Sequence, residues 1–201
     1  MKRFFPVLVG ALAFSAANAQ LLFDQGMSTG SWGGSWQNQT AGQNFADVAT
    51  FSHSVSITQY IYYTNFDPST FGTMHVKVLA DAGGVPGSLI TSQDVSVSSF
   101  AVDGVYSGNT VYNVTLNLST INLSAGTYWF GASGNGFEAA QVSLNPGPGD
   151  SQMAQFNGAT YTNMTGVGDQ AFQLRGAVPE PATIAVLGLG VLALARRRKQ
   201  A

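Results

Sequence analysis

The central part of this chain lacks the residues that usually build water-facing helices. Between Gln20 and Ala177 there is one glutamate, one lysine and one arginine, although these residues are the standard helix formers on a solvated face. Serine, threonine, asparagine, glycine, valine, tyrosine and phenylalanine are common there instead, and they favour strands and turns. The composition therefore predicts an all-β fold for residues 20–177.

Period-two alternation supports this prediction. In the run 51–63, Phe51, His53, Val55, Ile57, Gln59, Ile61 and Tyr63 alternate with serine, threonine and tyrosine. The run 111–118 alternates in the same way, and the other predicted strands are 75–79, 89–92, 95–98, 127–132, 139–144, 152–156 and 171–175. Turn clusters such as 81–87, Asp103-Gly104 and 107–109 separate them. We predict roughly 8–10 strands in an antiparallel, jelly-roll-like β-sandwich.

Cysteine content and charge exclude several classes of protein. The chain has no cysteine, which excludes disulfides, thiolate nucleophiles, zinc-thiolate sites and iron–sulfur clusters. Between Gln20 and Ala177, two cations stand against nine anions. A nucleic-acid partner is excluded because no basic face is available to replace its counterions.

The first nineteen residues have the organisation of a secretory signal peptide. Lys2 and Arg3 form a positive start, residues 4–14 are largely apolar, and Ala17-Asn18-Ala19 is a small-x-small cleavage site. We therefore predict that residues 1–19 are removed and that Gln20 becomes the N-terminus of the exported protein.

The C-terminus combines three elements. Pro179, Glu180 and Pro181 precede an uncharged run of 14 residues, 182–195, and Arg196, Arg197, Arg198 and Lys199 follow it. A helix of that length spans about 21 Å, against about 30 Å for a hydrocarbon core. Basic side chains remain on the cytoplasmic side and can extend the span by snorkelling. We predict a short transmembrane helix at 182–195, with the rest of the chain outside.

These three elements together resemble the PEP-CTERM sorting signal of Gram-negative bacteria. The resemblance implies that an exosortase, a membrane-embedded processing enzyme, recognises Pro179, Glu180 and Pro181 and cuts near them. It implies that Arg196, Arg197 and Arg198 act as a stop signal, and that the inner membrane is a transient partner through residues 182–195. The chain then divides into signal peptide (1–19), ectodomain (20–177) and sorting signal (178–201).

Matches to catalytic or metal-binding patterns are weak. Gly26-Met27-Ser28-Thr29-Gly30 fits G-x-S-x-G, but that motif requires a strand-to-helix turn and no helical pattern follows. The two histidines, His53 and His75, have no acidic residue at ligand spacing, so we predict that neither binds a metal. His53 is expected to be a half-buried strand residue and His75 a solvent-facing one.

The acidic residues do not form a recognisable catalytic set. Glu138 is the only glutamate between Gln20 and Ala177, and no second carboxylate is placed to cleave a glycosidic bond with it. Six aspartates are assigned to turns, where they could instead bind Ca²⁺, but no Asp-x-Asp spacing supports this. They are Asp67, Asp81, Asp94, Asp103, Asp150 and Asp169.

Trp32 and Trp36 lie in a polar, glycine-rich stretch. They could stack on sugar rings or anchor the N-terminal segment to the core, and both interpretations stay open. We expect an exported cell-surface or extracellular-matrix protein, associated with exopolysaccharide or biofilm, that is not an enzyme and needs no cofactor. A carbohydrate-binding module is the alternative, and a secreted hydrolase is a more remote one.

Overall fold

A computed structural model describes residues 19–27, 31–35, 40, 42–136, 141–145, 152–157, 159–165 and 168–178. These residues form fourteen strands and one short 3-10 turn at Pro68–Thr70, with no α-helix among them. The strands are β1 (Gln20–Gln25), β2 (Ser31–Ser35), β3 (Gln43–Phe51), β4 (Val55–Thr64), β5 (Met74–Asp81), β6 (Pro86–Val95), β7 (Val97–Tyr106), β8 (Asn109–Leu123), β9 (Gly126–Ser133), β10 (Gln141–Asn145), β11 (Gln152–Asn157), β12 (Tyr161–Thr165), β13 (Asp169–Gln170) and β14 (Phe172–Ala177).

The strands form three sheets. The five-stranded sheet has the order β1-β14-β4-β8-β7, the six-stranded sheet β12-β11-β3-β9-β5-β6, and the three-stranded sheet β13-β10-β2. Every neighbouring pair is antiparallel. The prediction of an all-β, antiparallel fold is confirmed.

One apolar cluster joins the two larger sheets. The five-stranded sheet contributes Tyr60 and Phe172, whose rings stack with centroids 5.4 Å apart. The six-stranded sheet contributes Phe130, whose ring centroid lies 6.3 Å from that of Phe172. Two sheets that share a core in this way have the arrangement of a sandwich. The jelly-roll connectivity stays a prediction.

The predicted alternating run at 51–63 is two strands rather than one. β3 ends at Phe51 and β4 begins at Val55, and the residues between them form a bend. His53 lies in this bend and is exposed, so the prediction that it is a half-buried strand residue is wrong. The bend also means that Phe51 and Val55 belong to different sheets, although both reach the shared core.

A bulge at Thr58 changes which side chains of β4 face the core. The pairing of β4 with both of its neighbours shifts between Ile57 and Gln59, leaving Thr58 without a partner. An extra residue of this kind reverses the alternation beyond it. Ile57 therefore shares the core with Tyr60, whereas Tyr63 faces the opposite side of the sheet. The prediction that Ile57 and Tyr63 share one face is wrong for this reason.

One predicted chain reversal differs from the structure. Asp103-Gly104, predicted as a turn, lies inside β7, whereas the turn predicted at 107–109 is confirmed by the reversal at Ser107 and Gly108, whose φ angles are 50° and 81°. β14 continues to Ala177, the last residue of the predicted ectodomain. Predicted strand 111–118 is confirmed within β8, and predicted strand 95–98 is divided at Ser96.

One buried carboxylate connects all three sheets. Asp47 on β3 is 0 % exposed. It accepts hydrogen bonds from Gln25 Nε2 on β1 (3.0 Å), from the backbone N of Gln170 on β13 (2.6 Å) and from the backbone N of Val48 (2.7 Å). Because Gln25 and Gln170 belong to the other two sheets, this side chain fixes all three relative to one another.

Several predicted features lie outside the described residues. They are residues 1–18, Ser28, Trp36, Glu138, Asp150 and residues 179–201, which include the sorting signal and the predicted helix at 182–195. Within the described residues, no helix has the length and apolar character needed to span a membrane.

Candidate functional site

The two ends of the ectodomain lie side by side. β1 and β14 are antiparallel neighbours, with Gln20 opposite Gly176. Gln20 is the predicted mature N-terminus, and Pro179 follows Gly176 by three positions. Val178, the last residue described in this region, is 39 % exposed. Both predicted processing points therefore adjoin one end of the five-stranded sheet, which we call the tail end.

β14 is held firmly at the tail end. It lies between β1 and β4 and is hydrogen-bonded to both. Gly176 packs against the β4 bulge so closely that an added Cβ would collide with the backbone O of Ser56 and the Cα of Ile57. Only glycine fits this approach. The strand that leads to the sorting signal is thus an interior strand.

A polar cavity lies at the opposite end of the same sheet. Its volume is about 500 Å³. We call it the far-end pocket, and it is lined by Asp24, Gly26, Met27, Tyr63, Asp103, Tyr106 and Gln173. These residues come from β1, β4, β7, β14 and the residues just after β1. Strand pairing therefore gathers side chains that are far apart in the sequence.

A small apolar cluster adjoins the far-end pocket, on the face of the five-stranded sheet opposite the main core. Ile61, Tyr63, Val111 and Ala171 form this cluster, and Met27 and Tyr106 pack against it. Tyr63, Met27 and Tyr106 also line the pocket, so polar and apolar groups meet there, as is typical of small-molecule sites.

A second bulge places Asp103 in the pocket. The register of β7 against β8 shifts between Val102 and Gly104, leaving Asp103 as the extra residue. Bulges of this kind redirect a side chain at the edge of a sheet. Asp103 Oδ2 accepts a hydrogen bond from the Tyr106 hydroxyl (2.7 Å), and Oδ1 accepts one from Asn113 Nδ2 (3.4 Å). The bond to Asp103 also raises the pKa of Tyr106.

Asp24 is held by two neutral donors. Its Oδ1 accepts hydrogen bonds from the backbone N of Gly26 (2.8 Å) and from Gln173 Nε2 (3.0 Å). Gln173 Oε1 in turn accepts one from an Arg175 guanidinium nitrogen (3.3 Å). Both contacts to Asp24 use the same oxygen, so its Oδ2 is available to a ligand.

Tyr63 is the buried polar group of the pocket. The residue is 5 % exposed, and its hydroxyl makes no hydrogen bond within the part of the chain that the structure describes. Burial, followed by the charges of Asp103 and Asp24, raises the pKa of Tyr63 well above its ordinary value. Its hydroxyl is therefore a neutral donor and acceptor at physiological pH.

Comparison with protein families finds one match, to the PEP-CTERM protein-sorting motif, over residues 177–199. The chain carries a PEP-CTERM sorting motif. Such a motif indicates an exported protein that is sorted by an exosortase in the membrane. No curated protein matches the chain. The match covers Pro179, Glu180, Pro181 and Arg196–Arg198, so the predicted resemblance is confirmed, while the role of each residue stays a prediction.

The PEP-CTERM motif and the folded body meet at one residue. The matched segment begins at Ala177, which is also the last residue of β14. On the other strand, β1 begins at Gln20, directly after Ala19 of the predicted signal-peptide site. Ala17 lies outside the described residues.

The two histidines lie away from the far-end pocket. His53 Nδ1 is 2.8 Å from Ser52 Oγ in the exposed bend. His75 on β5 is opposite Asp94 on β6, and their Nδ1 and Oδ1 atoms are 2.7 Å apart. Strand pairing thus supplies the acidic neighbour that sequence spacing did not reveal. The described residues contain no group of three or more His, Cys, Asp or Glu that could hold a metal.

The turn assignment of the aspartates is correct for two of them. The Asp67 carboxylate accepts a hydrogen bond from the backbone N of Ser69 (2.9 Å), and hydrogen bonding to Ser69 lowers the pKa of that carboxyl group. Asp81 accepts from Trp129 Nε1 (2.9 Å) and from the turn glycines, and the Trp129 bond is the main reason that its pKa is lowered. In contrast, Asp94 and Asp103 lie within strands, and Asp169 is buried on β13.

The structure describes the backbone of one of the two predicted sugar-contact residues. Trp32 lies on β2, opposite Leu144 of β10 in the three-stranded sheet, and Trp36 lies outside the described residues. Sequence reasoning missed the far-end pocket because its members lie on strands whose order a single sequence does not give. The one available signal was in the predicted strand 171–175, where the polar residues Gln173 and Arg175 alternate with apolar ones.

Proposed function

We propose that this protein is a cell-surface or extracellular-matrix component that is cut near Pro179–Pro181 after export. The observation that carries this proposal is the position of the sorting motif, which starts at the residue where β14 ends. No described strand continues past Ala177, so a cut at 179–181 would leave every described strand in the released body.

The chemistry of the junction supports cleavage there. Two prolines fix φ and remove two backbone donors, so this segment stays extended and does not join the predicted helix that follows. An extended segment presents its backbone to a processing enzyme. The charge of Glu180 favours the water side of the membrane boundary.

We infer a structural or binding role for the released body. Its strands are rich in serine, threonine and asparagine, and it carries few charges. Such surfaces suit contact with polysaccharide or with other chains, as in an exopolysaccharide matrix or biofilm.

The intact mass of the protein, measured separately in membranes and in the medium, tests this proposal. We expect a species that begins at Gln20 and ends near Pro181. Glu180→Gln, or alanine at Arg196–Arg198, should leave the uncut chain in the membrane. Glu138→Gln removes the same charge outside the motif and is the matched control. A surface species that retains residues 196–201 would contradict the proposal.

A further inference from the structure

We propose that the far-end pocket binds a neutral sugar residue through Tyr63, Asp24 and Asp103. This inference goes beyond delivery to the surface, because it assigns a ligand class to a site built from residues outside the sorting motif. The cavity, at about 500 Å³, lies within the range of roughly 300–1,000 Å³ typical of small-molecule sites.

The hydroxyl of Tyr63 is the observation that points to a ligand. The residue as a whole is almost fully buried, whereas its hydroxyl is not one of the sealed, unpaired polar atoms of the interior, so it opens into the cavity. Tyr63 is 5 % exposed and lines the cavity, yet none of the described residues is bonded to its hydroxyl. A hydroxyl group of a ligand placed in the cavity would satisfy it.

The other groups of the pocket complement a polyhydroxyl compound. Each sugar hydroxyl donates one hydrogen bond and can accept others. Asp24 Oδ2 and the carboxylate of Asp103 supply acceptors, while Tyr63 supplies both functions. Met27 and the rings of Tyr63 and Tyr106 add apolar surface to the lining, which can contact the carbon-bound hydrogens of a sugar ring.

The surroundings of the carboxylates favour a neutral ligand over a metal cation. Asp24 and Asp103 already accept hydrogen bonds from uncharged amide, phenol and backbone donors. The Arg175 guanidinium donates a hydrogen bond to Oε1 of the lining residue Gln173 (3.3 Å), which places a positive charge beside the pocket. A Ca²⁺ ion would need several more oxygen ligands, and it would be repelled by this guanidinium.

The position of the pocket suits a ligand that comes from outside. Gln173 lines the pocket near the start of β14, and Ala177 ends the same strand where the sorting motif begins. Four residues of extended chain, roughly 13 Å, separate them. The pocket therefore lies at the end of the sheet away from the tail.

Binding of neutral glycans to the full-length protein in detergent tests this proposal. A glycan array would identify a neutral oligosaccharide, and calorimetry would measure its affinity. We expect Tyr63→Phe to weaken binding about three- to tenfold, because one hydrogen bond is lost. Asp103→Asn should weaken it about tenfold or more, because its bonds are charge-assisted. Tyr161→Phe makes the same change on β12, away from the pocket, and should leave the affinity unchanged.

Several outcomes would overturn the proposal, and none depends on C-terminal cleavage. The first is that the protein binds no neutral glycan. The second is that calorimetry detects binding of Ca²⁺ alone and that Asp103→Asn abolishes it. The third is that Trp32→Ala loses glycan binding whereas Tyr63→Phe keeps it. Tyr63→Phe removes a hydroxyl that has no partner among the described residues, so this variant should fold normally, and its urea midpoint checks that. Equal affinity for the methyl glycoside of one sugar and for a tetrasaccharide of the same sugar would show that one sugar residue fills the pocket.

Discussion

Asp47 shows how a single side chain can hold separate sheets together. It is fully buried and accepts hydrogen bonds from Gln25 and Gln170, which belong to two other sheets. Replacing it with alanine would leave those buried donors without an acceptor. We expect Asp47→Ala to lower the free energy of unfolding by roughly 3 kcal/mol or more, as measured by urea denaturation.

The control for this substitution is Asp94→Ala. Asp94 is exposed and pairs with His75 at the surface, close to Lys77. Its loss should cost no more than about 1 kcal/mol. Equal losses in the two variants would show that Asp47 does not connect the sheets in the way described.

At the level of the strand, β14 approaches the β4 bulge so closely that Gly176 has less room for a side chain than any other described glycine. An added Cβ at Gly176 would collide with the backbone of Ser56 and Ile57. We expect Gly176→Ala to destabilise the protein by about 1–3 kcal/mol, measured as a lower urea midpoint. Gly72→Ala is the matched control, because nothing lies within 4 Å of a Cβ at that position. If both variants kept the wild-type midpoint, β14 would not be packed as described.

The strands also show which features can be predicted from sequence. Composition was enough to predict an all-β body, and simple alternation located β8 because its paired residues 111–117 follow strict period two. Alternation failed where bulges occur, at Thr58 and Asp103, since one extra residue reverses the pattern. The sorting motif was found because its residues are contiguous.

The far-end pocket could not be found in this way. Asp24 and Gln173 are 149 positions apart and meet only because β1 pairs with β14. Strand order of this kind is a property of the whole fold. A local pattern carries no information about it.

For the whole molecule, we expect the folded body to end at Val178. β14 lies between β1 and β4, and no described strand follows it. A chain that ends at Val178 should therefore keep the urea midpoint of the full-length protein. A chain that ends at Ala171 should lose its cooperative transition, because β1 and β4 would lose their shared neighbour. Circular dichroism during urea titration measures both, and a shorter chain with an unchanged transition would contradict this boundary.

The pairing of β14 on both sides has a mechanical consequence. If the tail is anchored as predicted and a glycan polymer binds at the far-end pocket as proposed, the two attachments pull on opposite ends of β14. That force runs along the strand, parallel to its neighbours β1 and β4. The backbone hydrogen bonds on both sides would share the load in shear, instead of opening one after another as in a peeled edge strand. The strand that precedes the sorting motif is therefore well placed to bear tension.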